Sequence, residues 1–67
     1  MRYTEFRDQI QQELRRDPSG ITWVELKDRL NLPYKTPCPT WVHRLENEIA
    51  LIREKGLGRA FIWKVKG

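Results

Sequence analysis

The chain is poor in the residues that do covalent chemistry: Cys38 is its only cysteine and His43 its only histidine. A lone thiol excludes an internal disulfide and makes a reducing compartment the simple expectation. Cys38 and His43 cannot between them close a four-ligand zinc site, and a Cys–His nucleophile would need an orienting third group and a pocket that so short a chain hardly permits. Paired carboxylates, a ligand cluster and a phosphate-cradling glycine loop are also missing, so no enzyme activity, cofactor or metal is expected. No apolar run approaches the roughly 18 residues of a membrane span, and the opening MRYTEFRDQI lacks the apolar centre of a signal peptide. The expectation is a protein without a membrane role, cytoplasmic or nuclear. Internal repeats are absent too, and 67 residues leave room for one domain, 1–67, of a size that buries only about 60% of its unfolded surface.

What is present is a globular balance, with 39% hydrophobic and 33% charged residues. The net charge is +4 and it is unevenly placed. Residues 1–32 hold six basic and six acidic side chains, whereas residues 33–67 hold seven basic and three acidic, so all the excess lies in the second half. Lys35, Arg44, Arg53, Lys55, Arg59, Lys64 and Lys66 make up the basic set. Such asymmetry suits a polyanion-binding face; the alternative is a soluble surface that happens to be basic.

Along the chain, Thr4 is a plausible N-cap, and Tyr3, Phe6, Ile10 and Leu14 repeat on one helical stripe, predicting a helix over about 4–16. Its arginines alternate with Glu5, Asp8, Glu13 and Asp17 and read as a solvated face. Asp17-Pro18-Ser19-Gly20 ends it. Residues 21–22 are too short for an independent strand but can lie beside a hairpin. Thr22 and Glu25 form a capping box for a second helix over about 23–31, with Leu26 and Leu30 inward, Trp23 as a core flank, and Asn31-Leu32-Pro33 as its stop.

The stretch 36–49, TPCPTWVHRLENEI, has two faces. Cys38, Val42, Leu45 and Ile49 form an apolar stripe directed at a core, which makes Cys38 a small core residue. Thr40, His43, Arg44 and Asn47 fall on the opposite side, and they are hydrogen-bonding groups of the kinds that read base edges. Thr36 can cap this third helix and Pro37 can sit in its first turn, although Pro39 disfavours helical angles at Cys38; its start lies between Thr36 and Pro39.

Residues 59–65 are rich in β-branched and aromatic side chains, with Phe61, Trp63 and Val65 on one face and Trp63 in the core. They need a partner strand. Residues 51–55 supply it through Gly56-Leu57-Gly58, predicting a hairpin, with helix continued through Glu54 as the alternative.

Helix, short strand, helix, turn, helix and hairpin with a basic glycine tip is the order of elements in the winged helix-turn-helix family, which the chain resembles over nearly its whole length. The carriers are ITWVELKDRL as strand and second helix, Val42 and Leu45 leading to Ala50-Leu51-Ile52, and REKGLGRAFIWKV as the wing. The chain departs from the family in the prolines of TPCPT, in Ala50 where many members have glycine, and in a short wing tip. The resemblance implies an α+β fold, a three-helix core with a C-terminal β-hairpin wing and a short first strand. It also implies duplex DNA binding, with the third helix in the major groove and the wing on the backbone or minor groove.

On that reading Arg44 grips guanine O6 and N7, Asn47 pairs with adenine, and Thr40 and His43 are candidate base contacts that can equally be phosphate or water-mediated ones. Lys35, Thr36, Lys55, Arg59 and Trp41 meet the backbone. Glu46 and Glu48 on the same helix would weaken binding if near a phosphate. Trp41 reads either as a half-buried plate between helix and wing or as a platform stacking on a sugar or unpaired base. Two rival functions stand beside the first: a protein-interaction module that holds an acidic partner with Trp41, Leu57 and the basic face, and a binder of single-stranded nucleic acid or RNA. A homodimer reading two half-sites would gain in affinity and specificity.

Overall fold

The computed structural model describes residues 1–56, 58 and 60–65. Helix α1 (Tyr3–Arg16) buries the stripe Tyr3, Phe6, Ile10 and Leu14, as its spacing predicts. It begins one residue ahead of Thr4. Arg2 is the N-cap, without a side-chain cap bond, because burying the Tyr3 ring draws that residue into the first turn. Asp17 closes the other end, and the Gly20 N–H donates to the Asp17 carbonyl at 2.9 Å. Gly20 has φ +96°, and a side chain there would run into Ile62. Only glycine lets the chain come this close to the neighbouring strand.

Strand β1 (Ile21–Thr22) leads straight into α2 (Trp23–Leu30). The Thr22 hydroxyl accepts from the Glu25 N–H at 3.3 Å, half of the expected capping box. The other half is not formed: Glu25 accepts from Arg29 at 3.4 Å, and Arg29 also reaches Glu13 and Asp17, tying α2 to α1 through charge. Asn31 takes the left-handed conformation (φ 51°, ψ 49°), and the Leu32 N–H returns to the Lys27 carbonyl at 3.0 Å while the Leu32 side chain is buried. That is a glycine-type helix stop made with asparagine.

Helix α3 (Pro39–Glu48) starts at the last of the candidate positions. Cys38 is its N-cap, extended at φ −73° and ψ 121°, and its side chain is exposed. The apolar stripe therefore begins at Val42, and Cys38 is not a core residue. Pro39 is the cause: it holds the preceding residue out of helical angles, which breaks the i, i+4 relation between Cys38 and Val42. Ile49 ends the helix, and Ala50 (φ 56°) turns the chain into β2 (Leu51–Lys55) in place of a longer helix.

Strand β2 pairs antiparallel with β3 (Phe61–Val65), Leu51 opposite Val65 and Lys55 opposite Phe61. Strand β1 pairs on the other side of β3, Ile21 opposite Trp63, giving the sheet order β1-β3-β2. The second arm runs from Phe61, with Ala60 outside the strand and its carbonyl accepting from the Gly56 N–H at 3.1 Å; residue 59, the expected start of the arm, lies outside the described residues. Trp63 is 1% exposed at the centre of the core, as expected. Phe61 is not: at the loop end of the hairpin, opposite Lys55, it is 46% exposed. Among the described residues the architecture is α+β, three helices and a three-stranded antiparallel sheet around one hydrophobic cluster. No helix among the described residues is long and apolar enough to cross a membrane.

Candidate nucleic-acid interface

Helix α3 presents Val42 and Leu45 to the core, and its other residues fall into an outer side and two flanks. On the outer side Thr40, His43 and Asn47 are exposed, and the Asn47 amide donates to the His43 carbonyl at 3.3 Å. That bond occupies one of its two N–H groups and leaves the amide oxygen free to accept.

Arg44 is on the flank toward α1. Its Nε donates to Glu48 Oε2 at 3.1 Å, and its guanidinium carbon lies 3.8 Å from the centre of the Tyr3 ring. Glu48 also accepts from Arg7 Nη1 at 3.0 Å, so one carboxylate joins two arginines from two helices. Hydrogen bonding from Arg7 first, and then from Arg44, holds the Glu48 carboxyl below the usual carboxylate range. The Tyr3 hydroxyl is buried without a hydrogen-bond partner. Burial, and next the negative charge of Glu48, push it above the ordinary tyrosine value. Nothing in the sequence marks this cluster except the i, i+4 spacing of Arg44 and Glu48; the partners from α1 are visible only in the fold.

Trp41 shares that flank. It is half-buried against Phe6, Tyr3 and Tyr34, with ring centres at 5.0, 5.6 and 5.6 Å. The expected plate exists, but it lies between α3 and α1 and not between helix and hairpin. Tyr3 and Phe6 offer ring partners there, whereas the facing residues of β2 are mostly polar.

The flank toward the hairpin is open. A groove of about 340 Å³ runs between α3 and β2, lined by Pro37, Pro39, Val42, His43, Glu46 and Arg53. Arg53 Cζ is 5.3 Å from the Phe61 ring centre and 5.9 Å from that of Trp63, and Arg53 makes no ion pair among the described residues. Sequence reading counted this arginine only toward the charge. The two-residue period of β2 was the available signal, since it puts Arg53 on the same face as the buried Leu51.

Lys35 and Thr36 are exposed in the segment that enters α3, where the Lys35 carbonyl accepts from the Trp23 indole N–H at 3.2 Å. Lys55 is exposed at the far end of β2, roughly 13 Å from Leu51 at the rise of a strand. Arg59 and Leu57 lie outside the described residues. The fold thus gathers Thr40, His43, Asn47 and Arg53 along one side of α3 and its groove, and turns Arg44 toward α1. Among the described residues no three His, Cys, Asp or Glu side chains come together as metal ligands. No family model, curated protein or solved structure matches the chain.

Proposed function

We propose that the chain is a winged helix-turn-helix domain that binds duplex DNA, with α3 as the reading element and the β2–β3 hairpin as the wing. The observation that carries this reading is the exposed polar row of α3, Thr40, His43 and Asn47, bordered by Arg53, which makes no ion pair among the described residues, in the half of the chain that holds all the excess positive charge. Hydrogen-bonding side chains specify bases, and the surrounding cations supply affinity through counterion release. In the bound state Asn47, His43 and Thr40 face base edges. Arg44 joins them by exchanging Glu48 for a guanine edge, a geometry its planar fork suits. Lys35, Thr36, Lys55 and Arg59 meet phosphates, with the exposed edge of Trp41 beside them.

The test is a fluorescence-anisotropy titration of the protein against pooled duplex and pooled single-stranded DNA at two salt concentrations. Duplex binding that weakens log-linearly, with a slope of about 0.9 per phosphate contact, is the expected result. Equal or tighter binding to single strands, or no binding at low salt, overturns the proposal.

A further inference from the structure

On the other side of α3 from the groove lies a second cavity, of about 340 Å³, where α1, α2 and the segment 31–38 converge. Phe6, Trp23, Tyr34 and Trp41 form its walls, with Met1 and Cys38 at its edge. The ring centres of neighbouring walls are 5.0 to 6.4 Å apart, all tilted or edge-to-face, so both ring faces and ring edges are offered to whatever enters. Trp23, Tyr34 and Trp41 are only partly buried. A domain this small has little apolar surface to leave in water, and here it leaves three of its largest rings half-open side by side.

No lining side chain carries a charge, but the neighbours do. Arg2 follows Met1, and Lys35 follows Tyr34 with its carbonyl bound to the Trp23 indole; both side chains are exposed. Glu5, the acid next in sequence to a lining residue, projects about 100° around α1 from Phe6. An aromatic cage could hold an alkylammonium group through its ring faces, but a basic rim opposes a cation and favours an acid. The volume is at the low end for small-molecule sites and suits one ring system. Apolar surface continues at the edge of the cavity with Met1, 48% exposed. An occupant that also covers Met1 is longer than the cavity.

We infer that this pocket docks an acidic peptide segment of a partner protein, with one aromatic side chain inserted between Trp23, Tyr34 and Trp41 and flanking carboxylates held by Arg2 and Lys35. The site shares Lys35 and the edge of Trp41 with the proposed DNA face, so peptide and duplex compete for them, but peptide docking does not depend on DNA binding.

The test uses a pentapeptide with one phenylalanine between two pairs of aspartates, titrated into the isotopically labelled protein while the three indole N–H resonances are followed. The Trp23 and Trp41 signals are expected to move and the buried Trp63 signal to stay. Lys35→Glu and Cys38→Glu, both at exposed positions, should each weaken the peptide by about threefold, the scale of a surface charge contact, with unchanged melting. Replacing the phenylalanine by alanine should abolish the shifts. The inference fails if the aspartate peptide moves neither indole at millimolar concentration. It fails equally if a lysine version binds as well, if the alanine version binds as well, or if an oligothymidylate alone moves these indoles, which would assign the rings to unpaired bases.

Discussion

Toward α1, helix α3 presents Trp41, Arg44 and Glu48, and each of them touches a residue of α1: a ring on rings, a guanidinium on the Tyr3 face, a carboxylate on Arg7. Toward the hairpin it presents His43 and Glu46 across an open groove from Arg53. One flank fixes where the helix lies; on the other His43 faces Glu46 at 3.9 Å, and Arg53 makes no ion pair among the described residues. The same ten residues can do both because a 3.6-residue period places the two flanks close to half a turn apart. The contrast also explains why the most attractive DNA-reading residue in the sequence, Arg44, is held in the fold: it lies nearer the anchored flank than the free one.

Substitutions on either side should separate the two roles. Trp41→Ala removes the ring that joins α3 to α1 and is expected to cost about 3 kcal/mol, the low end for losing a large aromatic. In a domain of this size that lowers Tm by 10 °C or more, at about 4–8 °C per kcal/mol, and thermal circular dichroism would show it; a change of a degree or two would mean that the anchored flank does not anchor. Arg44→Ala should cost roughly 1 to 3 kcal/mol on the preferred duplex and much less on random DNA. Equal losses on both, measured by competition anisotropy, would reduce Arg44 to a phosphate contact or to its place on Tyr3.

Arg53→Ala is expected to leave stability within about 0.5 kcal/mol and to lower the salt slope of DNA binding by about one. An unchanged slope would remove the groove from the interface. Glu48→Gln releases Arg44 and removes a negative charge, so duplex affinity should rise by about threefold, while stability at neutral pH falls. The sign of the pH dependence follows from the depressed Glu48 pKa: its contribution is present above the unfolded value near 4.5 and is lost as pH falls through the lower folded value. The Tm gap between wild type and Glu48→Gln should accordingly close in acid, and a gap that persists at low pH would assign it to packing. Ala50→Gly relieves a left-handed alanine at φ 56° but loosens the unfolded chain, for a net gain of about 0.5 kcal/mol in denaturant melts.

Periodic features were legible in the sequence. The stripe of α1, the Thr22 cap, the asparagine stop and the hairpin all rest on local spacing or on residues with strong backbone preferences, and they appear where that spacing puts them. Cys38 was misread because a stripe extrapolated through Pro39 ignores the preference that proline imposes on its neighbour. Trp41 lies beside the apolar stripe, as expected, whereas Arg44, expected in the outer row, lies on the flank toward α1; what each touches depends on which element packs against that flank, and periodicity carries no such information. The aromatic pocket was invisible for the same reason: Phe6, Trp23, Tyr34 and Trp41 are scattered along the chain and meet only after three helices close.

The order β1-β3-β2 makes the last strand in the sequence the middle strand of the sheet. Ile21 and Leu51 are synthesised well before the segment that carries their partners, Trp63 and Val65. During translation the three helices can form and collide, but the sheet has no centre until residues 61–65 leave the ribosome. Such a chain gains its cooperativity late and all at once, and a nascent form lacking β3 exposes the apolar side chains that Trp63 would cover.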